Sequence, residues 1–195
     1  MKSLKIFSFL LFFSAASIFA QTNWNLDKSH SSVGFSVTHM VITDVEGHFT
    51  NYEGTISMNG DDITSAMIDF TVDVNSINTE NEDRDKHLRS DDFFNAEDFP
   101  QMSFKSKEMK KVGEKNYKLI GDLTIRDVTK EVEFDVKFNG MVNDPWGNTR
   151  AGFKATGEIN RFDYGLKWNN LLETGGLVVG EDVEMVINVQ LIKKA

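Results

Sequence analysis

Histidine is the residue type of this chain with the widest chemical use, since imidazole serves both as a metal ligand and as a general base. The sequence holds four histidines, and three of them are spaced nine residues apart, at His30, His39 and His48. An odd spacing within extended chain places successive side chains on opposite faces, and no H-x-H or H-E-x-x-H pair is present. A zinc site needs three or four converging ligands. The sequence therefore predicts no metal site.

Two histidines have an acidic residue close by and could form an acid–base pair. Asp27 lies three residues before His30, and Asp85 lies two residues before His87. Residues two apart in a helix do not face one another, which disfavours the second pair. The chain has no cysteine and no G-x-S-x-G motif to supply a nucleophile, and its GGLVVG segment lacks the spacing of a dinucleotide-binding loop. We predict no catalytic residue and no cofactor; an enzyme with His87 or His39 as its base is kept as an alternative.

The N-terminus has the layout of a secretory signal peptide. Two lysines precede an apolar run, and small residues suitable for cleavage follow it. We favour cleavage after Ala20, with cleavage after Ala16 as the alternative. Residues 21–195 are then predicted to form one domain in the periplasm or outside the cell. The apolar run is shorter than the ~20 residues of a membrane-spanning helix, and no other segment is long and apolar enough to form one.

The formal net charge of −9 limits the partners that the protein can bind. Binding to the phosphates of nucleic acid requires a basic face, and adsorption to an anionic membrane surface has the same requirement. The composition therefore argues against both partners. The absence of cysteine excludes disulfides and thiolate metal sites as well.

Apolar and polar residues alternate along most of the remaining chain. In the runs 33–37, 68–74, 132–138 and 183–191, every second residue is apolar. This period is typical of strands with one buried and one solvated face. About eight to nine such strands joined by short turns predict an all-β antiparallel fold, and eight strands can close into a barrel with room for one small ligand. An eight-stranded outer-membrane barrel is disfavoured, because the chain has only three tyrosines for the aromatic girdles of such barrels.

One segment breaks the strand pattern with a dense run of charge. Its start, TENE at 79–82, has the form of a capping box, and the acidic residues precede the basic ones as the helix dipole favours. We predict a short helix over about residues 80–90. Leu88 is its only large apolar residue, and Phe93 and Phe94 follow directly. We expect these three side chains to hold the helix as a cap over an open end of the barrel.

Several motifs give the chain a resemblance to the YceI-like family. The matching segments, which cover essentially the whole of residues 21–195 in the family's order, are DKSHSSVGFSVTHMVITDVEGHF (27–49), INTENEDRDKHLRSDDFFNAEDFPQMSFKS (77–106), GDLTIRDVTKEV (121–132), DPWGNTRAGFKATGEI (144–159) and INRFDYGLKW (159–168). The motifs RDKHLRSDDFF and LTI…VTK are the most specific. One departure is Asp127, where the family usually has glycine in a turn.

The resemblance implies an exported bacterial protein of lipocalin-like fold, an extended antiparallel eight-stranded barrel whose apolar tunnel holds a long-chain lipid. Polyisoprenoids are the type ligand, and fatty-acid-like amphiphiles occur in relatives. Members often form homodimers, and no enzymatic activity is established for the family as a whole. The strand pattern alone would favour a barrel filled by its own side chains. The expectation of an open tunnel therefore rests on the resemblance.

The predicted site combines inward-facing apolar positions of the strands with residues of the charged segment. The predicted tunnel wall consists of Phe35, Val37, Phe70, Val72, Leu119, Phe134, Val136, Phe138, Phe153 and Trp168, the last of them as wall or plug. The predicted gate at the mouth consists of Leu88, Phe93 and Phe94. Arg84, His87 and Arg89 are predicted to contact a polar or anionic head group at the same mouth, with a solvated helix face as the alternative.

Overall fold

The computed structural model describes residues 21–171 and 176–193, so the predicted signal peptide lies outside the described residues. Within them the chain forms eleven strands, one α-helix and three 3-10 helices. The strands are β1 Gln21–Leu26, β2 Ser32–His39, β3 Thr43–Phe49, β4 Tyr52–Asn59, β5 Asp62–Asp73, β6 Ile77–Asn78, β7 Gln101–Lys111, β8 Asn116–Ile125, β9 Val128–Asn143, β10 Thr149–Asn160 and β11 Val179–Lys193. The helix α1 spans Glu82–Arg89, and the 3-10 helices span Lys28–His30, Val74–Ser76 and Arg161–Tyr164. None of these helices is long and apolar enough to cross a membrane.

Eight of the described strands close into an antiparallel barrel. Their order around the barrel is β1-β4-β5-β7-β8-β9-β10-β11, and pairing of β1 with β11 closes it. Each neighbouring pair is antiparallel. The prediction of an all-β, lipocalin-like eight-stranded barrel with one short helix is confirmed.

The remaining strands β2, β3 and β6 extend the sheet alongside β11. β11 pairs with β2 over Val183–Asn188 and with β1 over Leu191–Lys193, so β1 and β2 lie end to end along one edge of β11. β2 and β3 form a hairpin whose last ladder pair is His39 with Thr43. The hairpin turn lies at the same end of the sheet as the first residue of β11, because His39 pairs with Val179.

The two ends of the barrel differ in what covers them. At one end, called the helix end below, lie α1, the β2–β3 turn, the β8–β9 turn and residues 161–171 and 176–178. Contacts join these parts: Arg126 of the β8–β9 turn donates to the carbonyl of Phe93, and Trp168 packs against His87 of α1. At the other end, the turn end, tight turns connect β4 to β5, β7 to β8 and β9 to β10.

The alternating sequence pattern is visible in the burial of each strand. In β8, Tyr117, Leu119, Leu123 and Ile125 are buried and their neighbours are not. Gly121 occupies the remaining inward position, where a Cβ would lie 2.4 Å from Cζ of Phe104. Glycine at this site therefore allows the Phe104 ring to lie across β8. The buried side chains form two apolar clusters, one towards each end of the barrel.

The helix begins later than the capping-box pattern predicted. Asn81 has extended backbone angles, and its side chain accepts a hydrogen bond from the amide of Arg84 at 3.0 Å, so Asn81 is the N-cap. Glu80 has a φ of +61°, which interrupts any helical path from Thr79. The Thr79 hydroxyl instead donates to the buried carboxylate of Asp85 at 2.6 Å. The capping-box prediction was wrong in its cap residue, although the helix itself is present.

Candidate ligand-binding cavity

The barrel encloses a cavity of about 180 Å³. Its wall is contributed by strands β2 to β5 and β7 to β11, and Ser103 is the only residue with a polar side chain among the described residues that line it. Along β5 the lining positions run from Ile63 to Val72, which corresponds to about 30 Å along the strand at 3.3 Å per residue. The cavity is therefore long, narrow and apolar.

Seven of the ten predicted wall residues line this cavity: Phe35, Phe70, Val72, Leu119, Phe134, Val136 and Phe153. Period-two alternation selected them because each lies on the inward face of its strand. Six of these strand positions belong to the closed barrel, and Phe35 lies on β2, which extends the sheet beside β11. Phe134 packs edge-on against Phe104 with ring centroids 5.5 Å apart, which fixes both rings within the wall. Whether these side chains contact a ligand stays a prediction.

The structure places the other three predicted wall residues, Val37, Phe138 and Trp168, away from the cavity. Val37 shares a face with Phe35 but lies two residues further along β2, in the hairpin beyond the closed barrel. Phe138 packs against Phe153 at 5.2 Å, beyond the level of the first β8 residue, Asn116, which pairs with Lys137. Alternation shows which residues of a strand face inward, but it does not show how far along the strand the cavity extends.

Trp168 belongs to an aromatic cluster outside the wall. Its ring lies 4.9 Å from the ring of His87 and 5.4 Å from that of Phe93. His87 and Phe93 are themselves 5.0 Å apart in an edge-on arrangement. Phe93 is buried, so this cluster anchors the end of α1 to residues 161–171 at the helix end.

Leu88 and Phe94 cover the barrel more directly than Phe93 does. Both pack against the apolar cluster at the helix end. The Phe94 ring is 6.1 Å from that of Phe49, and Phe49 is 5.8 Å from Phe35; these last two rings line the cavity. Of the three predicted gate residues, Leu88 and Phe94 thus lie over the barrel, whereas Phe93 anchors the cap from the side.

The three predicted head-group contacts are engaged with the protein itself. Arg84 donates to the hydroxyl and the carbonyl of Thr79, each at 2.7 Å. His87 shares a hydrogen bond of 2.9 Å with Asp92. Arg89 makes one long hydrogen bond of 3.5 Å to a main-chain carbonyl. None of the three lines the cavity, and of the three Arg89 is held least tightly.

Methionines of the wall were missed by the sequence reasoning. Met58, Met102, Met109 and Met185 all line the cavity. Met102, Met109 and Met185 occupy inward positions of strands, so the alternation that selected phenylalanine and valine applied equally to them. The flexible thioether side chain adapts to contents of different shape. The wall is therefore more deformable than one built from β-branched residues.

Arg161 and Tyr164, within the motif INRFDYGLKW, were also missed. Arg161 is buried and donates to the main-chain carbonyls of Leu166, Trp168, Val179 and Gly180, at 2.9 Å for Trp168 and 2.7 Å for Gly180. Burial lowers the pKa of Arg161. Burial, with Asp163 nearby, raises the pKa of Tyr164 to about 12, so Tyr164 is a neutral phenol at physiological pH. Both residues organise the helix end.

Asp27 and His30, the remaining acid–base candidates, belong to a network on the barrel wall. Asp27 Oδ2 receives hydrogen bonds from Arg150 at 2.6 Å and from Gln190 at 3.0 Å, and lies 2.9 Å from His30 Nδ1. Burial alone would raise the pKa of Asp27, but the hydrogen bonds from His30 and Arg150 outweigh it and lower the pKa. A carboxylate held in this way is a structural ion-pair partner and a poor general base.

The histidines do not converge. His30 lies in a 3-10 helix, His39 ends β2, and His48 pairs with Asn78 in β6. In residues 21–171 and 176–193, no three His, Asp or Glu side chains are grouped so that they could hold a metal ion.

A closed eight-stranded antiparallel barrel around an apolar cavity defines a lipocalin-like β-barrel protein. The YceI-like domain model matches residues 24–191. A UPF0312 protein of Staphylococcus epidermidis is 40% identical over 164 residues, which cover 84% of this chain and 93% of that protein. The chain therefore belongs to the YceI-like family.

Solved structures agree with this assignment. The crystal structure of the Campylobacter jejuni YceI protein matches with a TM-score of 0.71 and 32% identity, over 88% of this chain and 98% of that one. A structure described as a polyisoprenoid-binding domain from Saccharophagus degradans matches with a TM-score of 0.65 and 14% identity, over 90% of this chain and 99% of that one. At that identity the second match shows a shared fold.

Proposed function

We propose that this protein binds a long-chain amphiphile, a polyisoprenoid or a fatty-acid-like lipid, with its apolar tail in the barrel cavity. The observation that carries the proposal is the cavity itself: a long space in the barrel whose wall is apolar apart from Ser103. The description of the Saccharophagus degradans domain as polyisoprenoid-binding supports the same ligand class.

The energetics of such a site favour long tails. Burial of a chain gains about 0.8 kcal/mol per CH₂ group, so a five-carbon isoprene unit gains about 4 kcal/mol gross. Several units outweigh the ~4–15 kcal/mol that association costs in lost freedom. Because an apolar wall offers few directional contacts, the site selects its ligand by tail length and shape rather than by functional groups.

A long tail must also enlarge the cavity. The volume of about 180 Å³ is below the ~300–1,000 Å³ of common ligand pockets. The four wall methionines can change rotamer, and the Phe94–Phe49–Phe35 stack lies where a longer tail would leave the barrel. We propose that these side chains move when the ligand enters, with Leu88 and Phe94 as the gate and Arg89 as the head-group contact that needs least rearrangement.

The same proposal assigns the protein a non-enzymatic role. His87 shares a hydrogen bond with Asp92 and packs against the rings of Phe93 and Trp168. Asp27 accepts a hydrogen bond from Arg150, and Tyr164 is a neutral phenol. His87 and Asp27 are thus engaged with other residues of the protein, and neither they nor His39 line the cavity. The N-terminal sequence pattern supports export, so we propose transport, storage or scavenging of lipid in the periplasm or outside the cell.

Native purification followed by organic extraction and mass spectrometry tests the proposal. We expect a long-chain amphiphile in near-equimolar amount. Ala155→Trp, which fills the cavity from its wall, should remove this lipid, because the indole takes the space of the tail. Lys154→Trp is the matched control, since this neighbouring side chain is exposed on the other face of β10 and its replacement should leave the lipid bound. Lipid-free wild-type protein that also binds no long-chain probe would contradict the proposal.

A further inference from the structure

The β2–β3 turn presents three consecutive apolar side chains to solvent. Met40, Val41 and Ile42, here called the apolar tip, are 42%, 67% and 85% exposed. Runs of three exposed apolar residues are unfavourable for a soluble surface unless they have a binding role. The tip lies at the helix end, where the gate residues also lie.

The backbone of the tip is strained. Met40 and Val41 have φ values of +51° and +66°, a region that β-branched side chains rarely adopt. Asparagine or glycine would fit this turn at lower cost. The turn is held by hydrogen bonds from the amide of Met40 to Val178 at 2.8 Å and from the amide of Ile42 to His39 at 3.2 Å. The fold thus maintains an unfavourable conformation that displays apolar groups, which is typical of functional sites.

An apolar track connects the tip to the cavity. Val37 and Val45 pair across the hairpin, and Val183 of β11 pairs with Val37 from the other side. Val37 lies on the same face of β2 as Phe35, which lines the cavity. Half-buried valines therefore connect the apolar tip to the wall of the proposed binding site.

Leu171 enlarges the exposed apolar surface beside the tip. It is 79% exposed and forms an isolated β-bridge with Leu177. The next residue, Val178, accepts the hydrogen bond from the Met40 amide. Gly176 lies against the tip as well, because a Cβ on it would be 3.3 Å from Val41 Cγ2. Four aliphatic side chains from two adjacent segments thus project at the helix end.

We propose that the apolar tip, with Leu171, inserts into the surface of a zwitterionic lipid bilayer and that the ligand passes between bilayer and cavity at this end. This inference rests on the proposed lipid-binding function. Four aliphatic side chains on a convex turn offer far less than the ~800 Å² per partner of a stable protein interface, whereas a bilayer accepts an insertion of this size.

The charges around the tip determine the kind of bilayer. Asp44 and Glu46 follow it on β3, and Glu181 and Asp182 lie on the neighbouring part of β11. The protein as a whole carries a net charge of −9. An anionic surface would repel these four carboxylates, so we expect the apolar tip to favour a bilayer without net charge.

Flotation with phosphatidylcholine vesicles tests the insertion directly. The double variant Val41→Asn/Ile42→Ser removes the apolar groups, and asparagine tolerates the positive φ, so the variant should fold normally. We expect its vesicle binding to fall about tenfold or more relative to wild type, because the variant lacks two aliphatic side chains that wild type transfers from water into the bilayer. Met67→Ser, which alters a 64% exposed methionine in the turn-end half of β5, is the matched control and should bind as wild type does.

Transfer kinetics separate this inference from the proposed function. A fluorescent fatty acid added from solution should bind the tip variant with unchanged affinity, whereas its transfer from phosphatidylcholine vesicles should slow about tenfold. If neither wild type nor the tip variant binds the fatty acid but wild type still floats with vesicles, the proposed function fails and the insertion stands. Wild-type protein that does not float, or a tip variant that floats equally well, would overturn the inference.

Discussion

The ring of Phe94 meets the ring of Phe49 edge-on, with centroids 6.1 Å apart and an interplanar angle of 86°. Phe94 belongs to the segment that follows α1, and Phe49 lines the cavity. The segment therefore contacts the cavity wall through this aromatic pair, and its Ala96 belongs to the same apolar cluster as Phe49. We expect that movement of the Phe94–Phe49 pair opens the helix end.

Phe94→Ala should open the cavity at this end. The loss of a partly buried ring and its aromatic contact should lower the free energy of unfolding by about 1–3 kcal/mol. Association and dissociation of a fluorescent fatty acid should both become faster, because the gate no longer has to move. Stopped-flow measurements give both rates, and urea unfolding gives the stability.

Phe99→Ala is the control for this variant. Phe99 lies in the same segment and packs under the guanidinium of Arg126 at 5.3 Å; unlike Phe94, it is not among the residues packed against the apolar cluster at the helix end. Its removal should cost stability but leave both ligand rates unchanged. Equal rate changes in the two variants would show that general loosening of the segment, rather than the Phe94–Phe49 pair, governs access.

Arg161→Met should destabilise the helix end more than any surface arginine variant. The substitution leaves the main-chain carbonyls of Leu166, Trp168 and Gly180 without the Arg161 donor, whereas the carbonyl of Val179 keeps its hydrogen bond from Asn169. Unsatisfied buried groups cost about 1–3 kcal/mol each, so we expect a loss of at least about 3 kcal/mol in urea unfolding. Hydrogen exchange of the amides around Trp168 should accelerate, since Trp168 loses the contact that holds its carbonyl.

Arg89→Met is the comparison for this arginine. Arg89 makes a single hydrogen bond of 3.5 Å and is not buried. Its loss should change the free energy of unfolding by less than about 0.5 kcal/mol. A comparable loss in both variants would contradict the clamp role that the four carbonyl contacts give to Arg161.

Sequence patterns predicted the barrel because each strand carries one apolar face. The run from Val132 to Phe138 illustrates both the strength and the limit of this reasoning. Phe134 and Val136 line the cavity as predicted, but Phe138, on the same face, does not. Which part of a strand faces the cavity depends on where its neighbours begin and end, and β8 begins at Asn116, opposite Lys137. Alternation within one strand contains no information about that register.

The contacts of the helix end were harder to predict than the barrel. The helix dipole pattern located α1, but the choice of cap depended on Glu80, whose positive φ no local pattern indicated. Arg161 lies 72 residues after the end of α1. Because it donates to main-chain carbonyls, no acidic residue in the sequence indicates its role. The predicted head-group residues were chosen by charge alone, and the structure shows that Arg84 is already bound to Thr79.

Acid should weaken the contact between Asp27 and Arg150. The folded-state pKa of Asp27 lies below its ordinary value of 3.8, so the unfolded chain binds the proton at higher pH. The stabilisation is therefore complete above about pH 4 and is lost as the pH falls through the lower, folded-state pKa. Asp27→Asn should lower the free energy of unfolding by about 1–2 kcal/mol at pH 7, and the difference from wild type should shrink below about pH 4.

An exposed ion pair provides the control for this pH dependence. Asp61 lies 3.2 Å from Lys193, and its side chain is 64% exposed. Asp61→Asn should change the stability by less than about 0.5 kcal/mol at either pH, because exposed pairs are screened by water. Urea unfolding at several pH values measures all three proteins. A difference between wild type and Asp27→Asn that stays constant down to pH 3 would contradict the assignment.

The methionines of the wall should set the range of tails that the cavity accepts. Met109→Ile/Met185→Ile keeps the wall apolar and nearly constant in volume, but β-branched side chains are restricted at χ1 and adapt less. We expect the affinity for the best-fitting fatty acid to change less than about tenfold, while the affinity for shorter and longer tails falls more steeply than in wild type. Titration with a series of fatty acids of increasing length measures this selectivity.

Met67→Ile is the matched control, because this methionine is 64% exposed and does not line the cavity. It should leave the whole length profile unchanged. If the double variant and wild type have the same profile, adaptation must come from elsewhere. The Phe94–Phe49 pair would then be the remaining mobile part of the site, since it lies where a longer tail would leave the barrel. Adding Phe94→Ala to the double variant should in that case strengthen binding of the longer tails and leave that of the shorter ones unaltered.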